Sequence, residues 1–158
     1  MVLSFSAVTN LPAEFVTLLL NHASVQSGIG HLESMPVSAN ARGYRYSIPG
    51  EEHCFFFAVH TGAWTLGAWT SDAAFLYWWM NRRLEQRMLI AIGGTFVECS
   101  GTRVLSSVAQ FEHVELASDS GKTEMISSSS EAIQLSTTLD ALEPELAFTQ
   151  KDRERMGV

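Results

Sequence analysis

Trp64, Trp69, Phe75, Tyr77, Trp78 and Trp79 fall within 16 residues. They sit in a stretch, Cys54 to Asn81, whose only fixed charge is Asp72. Each such ring buries about 150–250 Å2 when it is covered. A chain carrying this run must either fold around it or pass it through a membrane. A spanning helix needs roughly 20 predominantly apolar residues. Thr61, Gly62, Thr65, Gly67, Thr70, Ser71 and Asp72 interrupt the run. They read as turns and a helix cap, so two short buried elements are expected and no membrane span.

The second of these elements is expected to be a helix over about residues 71–88, capped by Ser71 or Asp72. Ala73, Tyr77, Met80, Leu84 and Met88 recur at helical spacing and form its core stripe, which Leu76 extends. Phe75, Trp78 and Arg82 fall on a flank, with Trp79 nearer the core side. Arg82, Arg83 and Arg87 lie in its second half, where cations suit the negative end of the helix dipole.

Elsewhere the pattern is mostly of strands. An N-terminal helix is expected over about residues 11–24, with Asn10 as cap and Phe15, Leu18, Leu19 and His22 as its apolar stripe. Residues 31–42 read as a loop or an edge strand. Arg42–Ile48, His53–His60 and Ala63–Trp69 follow as strands, separated by Pro49-Gly50 and Thr61-Gly62. Both faces of His53–His60 are apolar, which suits a central strand. Ile90–Cys99 and Thr102–Phe111 flank Ser100-Gly101, a two-residue hairpin signal. Val114–Ala117 and Lys122–Ile126 flank Asp119-Ser120-Gly121, and Ala132–Leu135 is short. Thr137 or Thr138 could cap a last helix, and residues 150–158 read as a frayed charged tail. The expected fold is therefore α+β: one domain, residues 1–158, with a curved, mostly antiparallel sheet of about six or seven strands packed on a central aromatic helix.

Charge narrows the function classes. The chain carries 10 Lys+Arg against 17 Asp+Glu, a net charge of −7, and no cation precedes Arg42. Nucleic-acid binding needs a basic face to neutralise phosphates, so that class is disfavoured. Cys54 and Cys99 are too few for a disulfide framework. The opening residues lack the positive and long apolar regions of a secretory signal, so a cytoplasmic protein with reduced thiols is expected.

No chemical motif stands out. His53, Cys54, His60, Cys99 and His113 lack the spacing of a zinc site, and no metal or cofactor is expected. Both thiols sit in apolar strand contexts that raise a thiol pKa, and there is no nucleophile elbow. Gly28-Ile29-Gly30 and Gly93-Gly94 lack the strand–loop–helix setting of a phosphate cradle. Asp72 reads as a cap.

His60-Thr61-Gly62-Ala63-Trp64-Thr65-Leu66-Gly67-Ala68 is similar to the segment that opens the central helix of some hot-dog-fold thioesterases. The resemblance covers only this segment and a coarse topology. It implies a helix wrapped by long antiparallel strands, and acyl-thioester chemistry. That family carries a catalytic acid where Ala74 stands here, and Asp72 is out of register with it. The resemblance thus implies a hot-dog protein without the usual acid.

Two functional readings follow. In the first, Phe75, Trp78, Trp79 and Arg82 form an exposed patch on a non-enzymatic interaction module of adaptor, inhibitor, immunity or chaperone type. Trp and Arg are frequent interface anchors, and a protein partner or a homodimer is expected. In the second, sheet and helix enclose a pocket for a small apolar or acyl ligand.

Overall fold

The apolar run does not coil into a helix. In the computed structural model, which describes residues 30–36, 38–128, 132–142 and 144, it is part of a ten-stranded antiparallel sheet. The strands are β1 (His31–Ser34), β2 (Ala41–Ile48), β3 (Glu51–Ala58), β4 (Trp64–Leu66), β5 (Trp69–Ser71), β6 (Phe75–Asn81), β7 (Gln86–Cys99), β8 (Thr102–Asp119), β9 (Lys122–Ser127) and β10 (Ile133–Leu135). The expected α+β architecture is therefore corrected to a nearly all-β fold, a curled half-barrel.

The reason lies in residues 71–88. Phe-Leu-Tyr-Trp-Trp-Met is rich in aromatic side chains, which pack well on a pleated surface. Alternation sends Leu76, Trp78 and Met80 to one face and Phe75, Tyr77 and Trp79 to the other. Residues apolar on both sides also satisfy helical spacing, so periodicity alone does not separate the two states. Arg82, Arg83, Leu84 and Glu85 make the β6–β7 turn, with Glu85 at φ 53. Leu84, assigned above to a helical core, is exposed in this turn.

The sheet runs β1-β2-β3-β6-β7, and β7 is long enough to serve two neighbourhoods. Its first half pairs with β6 and its second half with β5, which carries β4. β8 follows the other edge of β7 and holds both β9 and β10. The signals Thr102–Phe111 and Val114–Ala117 thus merge into one 18-residue strand. Residues 31–42 begin with a true edge strand, β1. Ala63–Trp69 is divided by a turn at Gly67-Ala68 into β4 and β5.

The sheet bends where β7 slips register against β8, between Gly94 and Phe96 and again between Val97 and Glu98. Bulges of this kind kink a strand and increase its twist. Asp72 holds the first bulge. Its carboxylate accepts the backbone N–H groups of Thr95 (2.7 Å) and Phe96 (3.1 Å) and the Thr95 hydroxyl (2.6 Å). Ser71 does not cap a helix; its hydroxyl donates to the Phe96 carbonyl and accepts from Ala73 N–H.

The core fills the inner face. Cys54, Phe56, Leu76, Trp78, Leu89, Ala91, Val114 and Leu116 point inward from the main strands. The β4–β5 hairpin adds Trp64, Leu66 and Trp69, and Trp64 stacks on Phe56 with ring centroids 5.7 Å apart. Leu139, on a 3-10 turn over Leu139–Ala141, closes the cluster. This turn stands where a final helix was expected, and Thr138 provides no side-chain cap. The segment expected as an N-terminal helix, about 11–24, and the tail 150–158 lie outside the described residues. Among the described residues no helix is long and apolar enough to cross a membrane.

Candidate functional site

The outer face of the half-barrel carries an aromatic ladder built by strand register. Phe57 opposes Phe75, Phe55 opposes Tyr77 and His53 opposes Trp79 across β3 and β6. On the far side of β3, Tyr44 opposes Phe55 and Tyr46 opposes His53. β7 extends the surface with Ile92, Ile90 and Met88 beside Phe75, Tyr77 and Trp79. Ring centroids are 5.1 Å apart for Phe57–Phe75, 5.2 Å for Phe55–Tyr77 and 6.1 Å for Tyr44–Phe57. Tilted and edge-on pairs at these spacings are favourable beyond simple burial. The ladder is closed along β2, where Tyr44 and Tyr46 are buried, and half-open elsewhere. Phe57 keeps 44% of its surface exposed and Ile92 keeps 40%.

A polar chain crosses this surface. His53 Nδ1 lies 2.9 Å from the Tyr77 hydroxyl, and His53 Nε2 lies 3.7 Å from a Glu51 oxygen. Asn81 Nδ2 donates to the other Glu51 oxygen at 3.1 Å. Burial pushes the Tyr77 phenol up to about 12, with nearby acidic groups adding to the effect. The phenol therefore stays protonated, and it can pair with His53 Nδ1 in either imidazole tautomer. Burial also holds His53 below the ordinary imidazole range, against the opposing pull of Glu51. A phenol held in its neutral form is a poor nucleophile.

The thiols are no better placed for chemistry. Burial pushes both Cys54 and Cys99 up, which favours the unreactive thiol. Among the described residues no three His, Cys, Asp or Glu side chains gather as a metal site requires.

The four residues expected to form one patch are separated by the fold. Phe75 and Trp79 stand on the outer face. Trp78 is fully buried in the inner core against Trp69, with centroids 5.2 Å apart. Arg82 lies in the β6–β7 turn at one end of the half-barrel. A helical reading places Trp78 and Arg82 one turn apart, whereas a strand and turn carry them to different surfaces. Tyr44, Phe55, Phe57 and Tyr77 complete the outer ladder and were not among those four. Their signal was the alternation of Phe55 and Phe57 in β3, which marks a shared face. A groove of about 460 Å3 opens beside Trp79, walled by Met88, Ala117, Lys122 and Glu124.

No protein-family model matches the chain, and no curated protein matches it.

Proposed function

We propose that the chain is a non-enzymatic protein-interaction module that docks its partner on the outer aromatic ladder. The observation that supports this reading most is the half-open ladder itself, with Phe57 at 44% and Ile92 at 40% exposure at the end where β3 finishes and β6 begins. Contiguous apolar surface left open on a folded protein favours association, because covering it releases water from both partners. Rigid rings lose little side-chain entropy when they are covered, which favours aromatic docking faces. The ladder is a broad face rather than an enclosed chamber, which suits a protein surface better than a small ligand. An apolar-ligand reading has less support, since both described cavities carry charged walls.

Self-association is the form of this reading open to direct test. Sedimentation equilibrium of the purified chain is expected to show a dimer, with Phe57→Lys and Ile92→Lys each weakening it at least about tenfold, or about 1.4 kcal/mol. A photo-crosslinking residue at position 57 covers the other partners. A monomer at every concentration, together with no crosslinked protein from position 57 in cells, would sink the proposal.

A further inference from the structure

The first described residue sits at one end of the outer ladder. Gly30 gives its N–H to the Tyr46 hydroxyl at 3.2 Å, and a Cβ there would lie 2.3 Å from the Tyr46 ring. Tyr46 in turn lies against His53, with ring centroids 5.7 Å apart. Residues 1–29 therefore join the sheet beside the ladder.

The ladder is unevenly covered. Tyr44 and Tyr46 are 9% and 6% exposed. On the same face, Ser34 and Leu32 oppose them from β1 and are exposed, and Phe55 and His53 oppose them from β3 and are half-buried. A strip closed between more open ones is what a rod lying along β2 leaves.

Residues 11–24 have the chemistry and the length for that rod. Phe15, Leu18, Leu19 and His22 make an apolar stripe at helical spacing, and Glu14 is the only Asp, Glu, Lys or Arg in residues 1–29. Arg42 stands on the outer face opposite Phe57. It is four strand positions from Tyr46, about 14 Å. Glu14 and Ser24 are ten positions apart, about 15 Å along a helix. With Ser24 at the Tyr46 end, Glu14 falls beside Arg42, and residues 25–29 make the return into β1. The tail fits the strip less well. Pro144 leads into it from the wall of a cavity of about 1010 Å3 lined by Arg45, Glu52, Arg82, Glu85, Arg87 and Asp140. Arg45 and Glu52 alternate to the face opposite Tyr46 and His53. Residues 151–155 are all charged, which disfavours an apolar strip.

We infer that residues 11–24 dock as a helix along β2 on the outer face. Phe15, Leu18 and Leu19 cover Tyr44 and Tyr46, and Glu14 meets Arg42. The short link 25–29 holds the segment there at an effective concentration on the order of mM, so modest apolar contact suffices. This occupant narrows the open ladder to the end at Phe57, Phe75 and Ile92. It stands whether or not that end docks a partner.

The test uses the full chain, labelled with 15N, carrying a nitroxide on Thr17→Cys, a position opposite the apolar stripe. Cys54 and Cys99 are buried, so the label goes to position 17. It is expected to erase the amide signals of Tyr44, Tyr46 and Phe55. It should spare Thr123, five strand spacings away across the sheet. Leu18→Asp with Leu19→Asp should restore the lost signals, with unchanged Trp78 and Leu116 signals showing that the sheet is intact. Glu14→Lys should weaken the effect, and adding Arg42→Glu should bring it back. Unlabelled 15N chain mixed with nitroxide-bearing 14N chain should lose no signal. The inference is overturned if the three signals persist, if Thr123 fades equally, or if either the Asp pair or Glu14→Lys leaves the loss unchanged. Loss in the mixed sample also overturns it, by assigning the segment to a second copy. The sedimentation of Phe57→Lys and Ile92→Lys is read separately, so docking on the open end fails or holds by itself.

Discussion

Asp72 is the only fixed charge between Cys54 and Asn81, and the fold uses it to hold the backbone of β7. Its carboxylate takes two amide N–H groups and a hydroxyl at a point where β7 leaves its regular ladder. Hydrogen bonds to an ionised acceptor are each worth about 1.5–3 kcal/mol, and stranding a buried donor adds to the loss. Asp72→Ala is therefore expected to lower stability by about 3 kcal/mol or more in urea denaturation, and Asp72→Asn by less, because one oxygen acceptor remains. His53 makes a second residue-scale prediction. Its folded-state pKa lies below its unfolded value, so the unfolded chain binds more protons near that value. Stability is then lost as pH falls through about 6.5 and regained as pH rises. His53→Gln should flatten this slope between about pH 5 and 7, measured as urea midpoints across the range.

At the scale of elements, β7 and β8 are the members that make one sheet serve two neighbourhoods. The bend between them needs close contact. A Cβ at Gly94 would lie 2.7 Å from the Ala73 Cα and 2.9 Å from Asp72 Oδ1. Gly94→Ala is expected to cost about 2 kcal/mol or more by forcing backbone apart. Gly121→Ala is the comparison: φ is +87 there but the side is open, so only the backbone penalty of about 1 kcal/mol applies. Differential scanning calorimetry of the two variants separates steric crowding from conformational preference.

The same elements show what was legible from residues alone. Ser100-Gly101 reads as a tight hairpin, and both residues take positive φ in the β7–β8 turn. β2, β3 and β9 follow from their alternation and their bounding turns. β6 was not legible, because Trp78 and Trp79 are both apolar and adjacent, so neither face of the strand announces itself. The long β8 was hidden by Glu112 and His113, whose polarity resembles a break although they lie within a continuous strand. The candidate site was affected in the same way. Phe75 and Trp79 belong to the ladder, but Trp78 and Arg82 were drawn to them by a helical period the chain does not have.

At the scale of the whole molecule, the curled sheet separates three environments that the sequence interleaves residue by residue. The inner face is an aromatic and aliphatic core, the outer face a half-open ladder, and one end a mouth of balanced charge. The core packing thus lies apart from both the outer face and the charged end.

The division of the tryptophans has an optical consequence. Trp64, Trp69 and Trp78 are sealed in the core, while Trp79 alone is half-buried on the outer face. The protein therefore contains its own spectroscopic probe of that surface. Acrylamide should quench a minor, red-shifted share of the emission and leave the rest dark to collision. Trp79→Phe should remove that share, and association across the ladder should shield it. A change in quenching would thus report docking on the native chain, without a label, while the three interior indoles report whether the fold itself has held.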